Sequence, residues 1–119
     1  MSLAGTRVFI VEDEVLIRDA LQDMLEDLGC EVIASAARIA DALAKAGALA
    51  FDVAVLDVNV AGERVDTVAD LLADRGVPFF FATGYSRTSI PANHRERFVV
   101  SKPYMTGDLK AALAAVLPG

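Results

Sequence analysis

Four short apolar runs in this chain each end on polar residues, and helix-like stretches separate them. Val8-Phe9-Ile10-Val11 leads into Glu12-Asp13-Glu14, and Val53-Ala54-Val55-Leu56 leads into Asp57. Phe79-Phe80-Phe81-Ala82 leads into Thr83-Gly84, and Phe98-Val99-Val100-Ser101 into Lys102-Pro103. Between them, Ile17, Leu21, Met24, Leu25 and Leu28 recur at helical spacing, which predicts a first helix over residues 15–28 that Gly29 ends. Val32-Ile33-Ala34 reads as a short second strand. Ile39, Ala42, Leu43 and Ala46 mark a second helix stopped by Gly47, and Val65, Val68, Ala69 and Leu72 a third stopped by Gly76 and Pro78. Leu109, Ala112, Leu113, Val116 and Leu117 mark the last helix, with Thr106 as its N-cap. Strands alternating with helices are the βα repeat of a parallel sheet, so the chain reads as one doubly wound α/β domain.

One element breaks the pattern. Residues 86–97 should hold the fourth of five helices, yet they contain Pro91 and offer no apolar stripe beyond Ile90. Thr88, Ser89 and Asn93 compete for backbone hydrogen bonds and favour turns, so a short or irregular helix is expected. Arg87, His94, Arg95 and Arg97 concentrate positive charge there beside the single acid Glu96. That stretch reads as a solvated loop, with a partner-docking patch as the alternative.

Composition narrows the function. The chain has 119 residues, a single-domain length, and 55% of them are hydrophobic. Its formal net charge of −6 repels phosphate, which argues against autonomous DNA or RNA binding. No apolar stretch approaches the roughly 20 residues that span a bilayer, and no charged segment followed by an apolar one suggests export. The single Cys30 excludes an internal disulfide, fits a reducing compartment and reads as a small buried hydrophobe. A cytoplasmic location is expected. Residues 6–117 form the expected domain, and residues 1–5 are set aside as a remnant or disordered terminus.

The chemistry follows from the shared sheet edge. In an open α/β sheet the carboxyl ends of the strands converge where ligands bind. Here that edge would gather Glu12, Asp13 and Asp57 with the Thr83 hydroxyl and the Lys102 ammonium. Two carboxylates ~5 Å apart repel by about 3 kcal/mol at an effective dielectric of 20, so something positive should fill the cluster. Oxygen-only ligands select a hard cation, and Mg²⁺ typically takes few protein ligands and keeps its waters. Asp13 and Asp57 are the expected direct ligands, Glu12 acts through water, and Asn59 offers its backbone carbonyl. Lys102, Thr83 and the N–H groups of Val58 and Gly84 would face phosphoryl oxygens. Asp57 then serves as a carboxylate nucleophile that forms an acyl phosphate.

These motifs, Val11-Glu12-Asp13-Glu14, Leu56-Asp57-Val58-Asn59, Ala82-Thr83-Gly84 and Ser101-Lys102-Pro103-Tyr104, resemble those of bacterial two-component receiver domains. The resemblance, chemotaxis-receiver-like, runs in order along residues 6–117. It implies a flavodoxin-like fold with five parallel strands in the order 2-1-3-4-5. It also implies Asp57 as phosphoacceptor, Thr83 as switch hydroxyl, Lys102 as phosphate-contacting lysine, Mg²⁺ as cofactor and a cis Lys102–Pro103 bond. The implied partner is a histidine kinase or a histidine phosphotransfer protein. Such a domain is not an enzyme in the usual sense; it catalyses only its own phosphorylation and dephosphorylation.

Departures from the family pattern bear on readout. Ala61 and Val65 stand where receivers usually carry Pro and Gly, and Val99 replaces the switch aromatic. Phe98, one residue off in the strand, should face the opposite side. Phe81-Ala82-Thr83-Gly84-Tyr85 resembles a receiver subgroup marked by Phe-Ala-Thr-Gly-Tyr, which makes Tyr85 a second switch candidate beside Thr83. Signalling is therefore expected through an order change in residues 86–97. The alternative is an aspartyl-phosphate phosphatase or phosphotransferase on a related fold, which often wants a second acid where Asn59 stands. A flavin carrier would need a hydroxyl-rich phosphate loop in place of Glu12-Asp13-Glu14. A protein-binding module without phosphorylation has no use for the full acid–Thr–Lys set.

Overall fold

The structure, a computed structural model, describes residues 2–84 and 89–118. Its main sheet is built from β1 (Arg7–Val11), β2 (Glu31–Ala36), β3 (Val53–Leu56), β6 (Phe79–Thr83) and β7 (Val99–Ser101). All neighbours pair in parallel, in the order β2-β1-β3-β6-β7, which is the expected 2-1-3-4-5 arrangement. Helices α1 (Val15–Asp27), α2 (Ile39–Ala48), α3 (Asp66–Asp74) and α4 (Thr106–Val116) connect and cover it.

Alternation along the strands divides the apolar residues between two cores. Phe9, Val11, Ala54, Leu56, Phe79 and Phe81 face one side and pack with Ala42, Ala46, Val68 and Leu72 from α2 and α3. Val8, Ile10, Val53, Val55, Phe80 and Val100 face the other and pack with Leu21, Leu25, Leu109 and Leu113 from α1 and α4. Full burial of each such Phe or Leu contributes about 1.5–3 kcal/mol, so the sheet's position between two helical layers is strongly fixed. Its register sets the functional edge: Val11 is level with Leu56, Leu56 with Phe81, and Thr83 with Ser101.

Several expectations change in detail. Gly47 lies inside α2, which continues to Ala48. Thr106 is the first residue of α4 rather than its N-cap; Met105 takes that place, and its backbone N–H donates to the Asp108 carboxylate at 2.8 Å. Asp108 thus satisfies a donor at the positive helix end, where its charge is also favoured. Leu3 is buried in the α1/α4 core, and the Gly5 N–H donates to the Gly29 carbonyl at 2.9 Å. Gly29 has φ +94°, and a Cβ there would sit 3.2 Å from the Ala4 Cα, so only glycine suits this helix end.

A short hairpin, β4 (Asn59–Val60) and β5 (Glu63–Arg64), follows β3. Its two-residue turn places Ala61 at φ 51° and Gly62 at φ 82°, the pair of left-handed conformations of a type I′ turn. Proline cannot adopt that φ, which accounts physically for Ala61 at the position where receivers usually carry Pro. Val65 is fully buried and sits at φ −83° ahead of α3, a conformation that needs no glycine.

Of the segment expected to hold an irregular fourth helix, residues 89–97 are described. The described residues of 86–97 hold no α-helix and carry a 3₁₀ turn, Ala92–His94. Ile90 is buried beneath this segment with the α2/α3 core, and Val99 packs partly against the same cluster. Phe98 precedes β7 and is exposed.

Candidate functional site

The ends of β1, β3, β6 and β7 border one cleft. Asp13, Glu14, Asp57, Asn59, Gly62, Gly84 and Lys102 line it. Glu12 and Asp57 are buried, at 2% and 6% exposure, while Asp13 is half-buried and Glu14 exposed. Carboxylate oxygens of Glu12, Asp13 and Asp57 lie within 4.8 Å of one another. This all-oxygen set, partly buried and open on one side, fits a hard divalent cation with water left in its shell.

Lys102 already answers part of the negative charge. Its Nζ donates to Glu12 Oε1 at 2.6 Å and to Asp57 Oδ2 at 3.0 Å. Burial alone would lower the lysine pKa, but the two carboxylates outweigh it and hold the ammonium above its ordinary value. Burial raises the Glu12 pKa; hydrogen bonds from Lys102 and the Glu14 backbone oppose that without cancelling it. The Lys102 backbone N–H donates to the Thr83 carbonyl at 2.9 Å, which ties β7 to β6 at the site, and the Lys102–Pro103 bond is cis. Thr83 is completely buried beside this edge.

Backbone geometry orients the acids. The Val58 N–H donates to Asp57 Oδ1 at 2.7 Å, so this donor holds the carboxylate itself. Asp57 therefore has one oxygen on Val58 and the other on Lys102. The Glu14 N–H donates to Glu12 Oε2 at 3.2 Å, and Arg18 Nη1 reaches the Glu12 carbonyl at 3.3 Å. At Gly84 an added Cβ would meet no atom within 4 Å, so the cleft is open there. Tyr85, the second switch candidate, lies outside the described residues.

Other residues were not signalled by the sequence. The Tyr104 side chain is buried, its hydroxyl has no hydrogen-bond partner among the described residues, and burial pushes its pKa up to about 12. Within the basic stretch, Arg95 is exposed, whereas His94 is buried and its Nε2 lies 2.7 Å from Asp70 Oδ1 on α3. Arg97 stacks its guanidinium 4.1 Å from the centre of the Phe79 ring. Arg87 falls outside the described residues. On the hairpin, Arg64 donates through Nε to Asp66 and through Nη2 to the Ser89 carbonyl, both at 3.0 Å.

The family model described as response regulator receiver domain matches residues 8–114. The solution structure of SdrG from Sphingomonas melonis Fr1 is 42% identical, with TM-score 0.85 over 97% of this chain and 98% of that one. A BeF3-activated conformation of SdrG is also similar, with TM-score 0.78 over 94% of this chain and 96% of the other. The phyllosphere-induced regulator PhyR of Methylorubrum extorquens is 29% identical over 95% of this chain and 44% of its own length. The chain spans about half the length of the curated relatives it matches. Among the described residues, no helix is long and apolar enough to cross a membrane. With the predicted strand order present and the family match covering most of its length, the chain belongs to the response regulator receiver domain family.

Proposed function

We propose that this chain accepts a phosphoryl group on Asp57 from the phosphohistidine of a histidine kinase or histidine phosphotransfer protein. The observation that carries this reading is the Lys102 ammonium held between Glu12 and Asp57, beside Asp13, in an open cleft. The Asp57 oxygen attacks phosphorus, the P–N bond to the donor imidazole breaks, and that imidazole retains the electron pair and takes up a proton. Lys102 then turns from the carboxylates to the incoming phosphoryl oxygens as a compact positive charge. Asp13 and Asp57, with Glu12 through water and the Asn59 carbonyl, would hold Mg²⁺, which supplies charge against the phosphoryl oxygens. Thr83 provides the switch hydroxyl, and Tyr85 belongs with it as in the Phe-Ala-Thr-Gly-Tyr subgroup. The unit, residues 6–117 with the packed Leu3, acts in the cytoplasm on a protein target rather than on nucleic acid, and its only catalysis is on its own phosphoryl group.

Intact-mass analysis after exposure to acetyl phosphate tests this. A single phosphoryl addition is expected with Mg²⁺, lost on chelation and lost in Asp57→Asn. Equal labelling of Asp57→Asn, or labelling indifferent to chelator, refutes it.

A further inference from the structure

We propose that His94 is a latch that holds residues 89–97 against α3 and β6 in the unphosphorylated chain, and that its release and phosphorylation of Asp57 favour each other. This rests on Asp57 being the acceptor, as argued above. Residues 89–97 form no α-helix, so regular backbone hydrogen bonding does little to hold them in place. Their attachment falls to a few side chains. Ile90 and Pro91 are buried at the start of the segment, and His94, at 6% exposure, is its one buried polar side chain.

The imidazole is held by two elements. Its Nε2 lies 2.7 Å from Asp70 Oδ1 on α3, and its ring meets the Phe79 ring of β6 edge to face, centroids 5.5 Å apart. Arg97 stacks 4.1 Å from the centre of the same ring, so two residues of the segment grip one aromatic. Phe79, Phe81 and Thr83 alternate onto one face of β6, and the Phe79 and Phe81 rings touch edge to face at 5.7 Å. The grip therefore lies on the strand face that carries Thr83. Ile90 packs in the same core as Val58, the neighbour of Asp57. Close-packed side chains pass on a displacement by changing arrangement, and this route needs no aromatic at Val99.

Among these contacts the His94–Asp70 bond is the one built to open. Ile90 loses its whole burial if it leaves the core, whereas the Asp70 side chain is 54% exposed and water can replace the imidazole on it. Opening the latch thus frees the turn at residues 92–94 while Ile90 stays seated. The coupling between latch and acceptor is reciprocal: if phosphorylation favours the open latch, an open latch favours the phosphorylated form. A competent form that is only partly populated weakens apparent binding by its fraction. Breaking the latch should therefore tighten binding of a phosphoryl mimic at Asp57, although neither His94 nor Asp70 lines the cleft.

The chain holds a single histidine, so its imidazole NMR signals report the latch directly. The full chain and its variants are titrated with beryllofluoride in the presence of Mg²⁺, and amide exchange is followed without beryllofluoride. Losing a hydrogen bond to a charged group shifts an equilibrium by about tenfold. Asp70→Ala is therefore expected to speed amide exchange in residues 92–97 about tenfold and to tighten beryllofluoride binding by up to about tenfold. In the parent, saturating beryllofluoride should move the His94 ring signals to their positions in Asp70→Ala. In a His94→Ala background, Asp70→Ala should add nothing further. Asp74→Ala, loss of an exposed acid one turn along α3, should leave exchange and binding at parental values. Parental beryllofluoride affinity in Asp70→Ala, His94 signals unmoved by saturating beryllofluoride, or an equal gain in Asp74→Ala overturns the proposal. A parent chain that binds no beryllofluoride overturns the acceptor assignment instead.

Discussion

Replacing Lys102 with Met keeps most of the aliphatic stem and removes the ammonium from between two buried carboxylates. Glu12 and Asp57 then face each other and Asp13 with oxygens no more than 4.8 Å apart. At that separation and an effective dielectric of 20, one pair of unit charges repels by about 3.5 kcal/mol. Removing one partner of a buried ion pair costs a similar ~3–5 kcal/mol. The metal-free variant should therefore lose about 3 kcal/mol at neutral pH, a fall of about 12 °C in melting temperature for a domain of this size. Two conditions should restore it. Mg²⁺ returns positive charge to the cluster and now competes with no lysine, so its stabilisation should be larger in the variant than in the parent. Acid should also restore it. Glu12 has a raised pKa when folded, so its contribution to stability is complete below its ordinary 4.5 and is lost as pH rises through the folded value. Without Lys102 that folded value climbs further, and the gap between variant and parent should narrow from pH 7.5 toward pH 5. Thermal melts over a grid of pH and Mg²⁺ read all three effects. A metal-free variant as stable as the parent refutes the electrostatic account, and a deficit indifferent to both Mg²⁺ and acid assigns the loss to packing.

In the parent chain, Mg²⁺ at a hundred times its dissociation constant should add about 2.7 kcal/mol of stability, and an unchanged melt at millimolar Mg²⁺ would count against a formed metal site. Tyr104→Phe removes a buried hydroxyl without a hydrogen-bond partner among the described residues and should stabilise by about 1 kcal/mol in urea unfolding. The same substitution should remove a phenolate absorbance step near pH 12; a step near pH 10 would place the hydroxyl in water. Ala61→Asn suits the left-handed turn position and should gain about 0.5 kcal/mol, whereas Ala61→Pro cannot adopt φ 51° and should lose at least about 2. Equal stability of the two would contradict the type I′ turn. Amide exchange on the beryllofluoride-bound chain should change in residues 86–97; a change confined to Val99 would restore the usual readout.

The apolar runs by themselves determined the main sheet, because strands buried on both faces need uninterrupted hydrophobic residues. Parallel pairing then obliges Glu12, Asp13, Asp57, Thr83 and Lys102 to emerge on one edge, so the candidate site was legible before any coordinate. Other features depended on residues distant in sequence or on very short segments. The β4–β5 hairpin has strands of two residues, too few to show a period, and its turn sets an alanine at a φ that alanine rarely takes. Thr106 has the chemistry of an N-cap, yet Asp108 reaches back to Met105 and moves the helix start by one residue. His94 sits among basic neighbours in the chain, but Asp70 on α3 and the Phe79 ring draw it into the interior. Lys102 at a strand end announced a phosphate contact, while its simultaneous hold on Glu12 and Asp57 required three loops to meet. Arg64 gave no local sign at all, since its two partners are a neighbour in the next helix and a carbonyl from another strand's exit. Periodicity reports burial along one segment; hydrogen bonds between segments exist only once the fold has set their distance and direction.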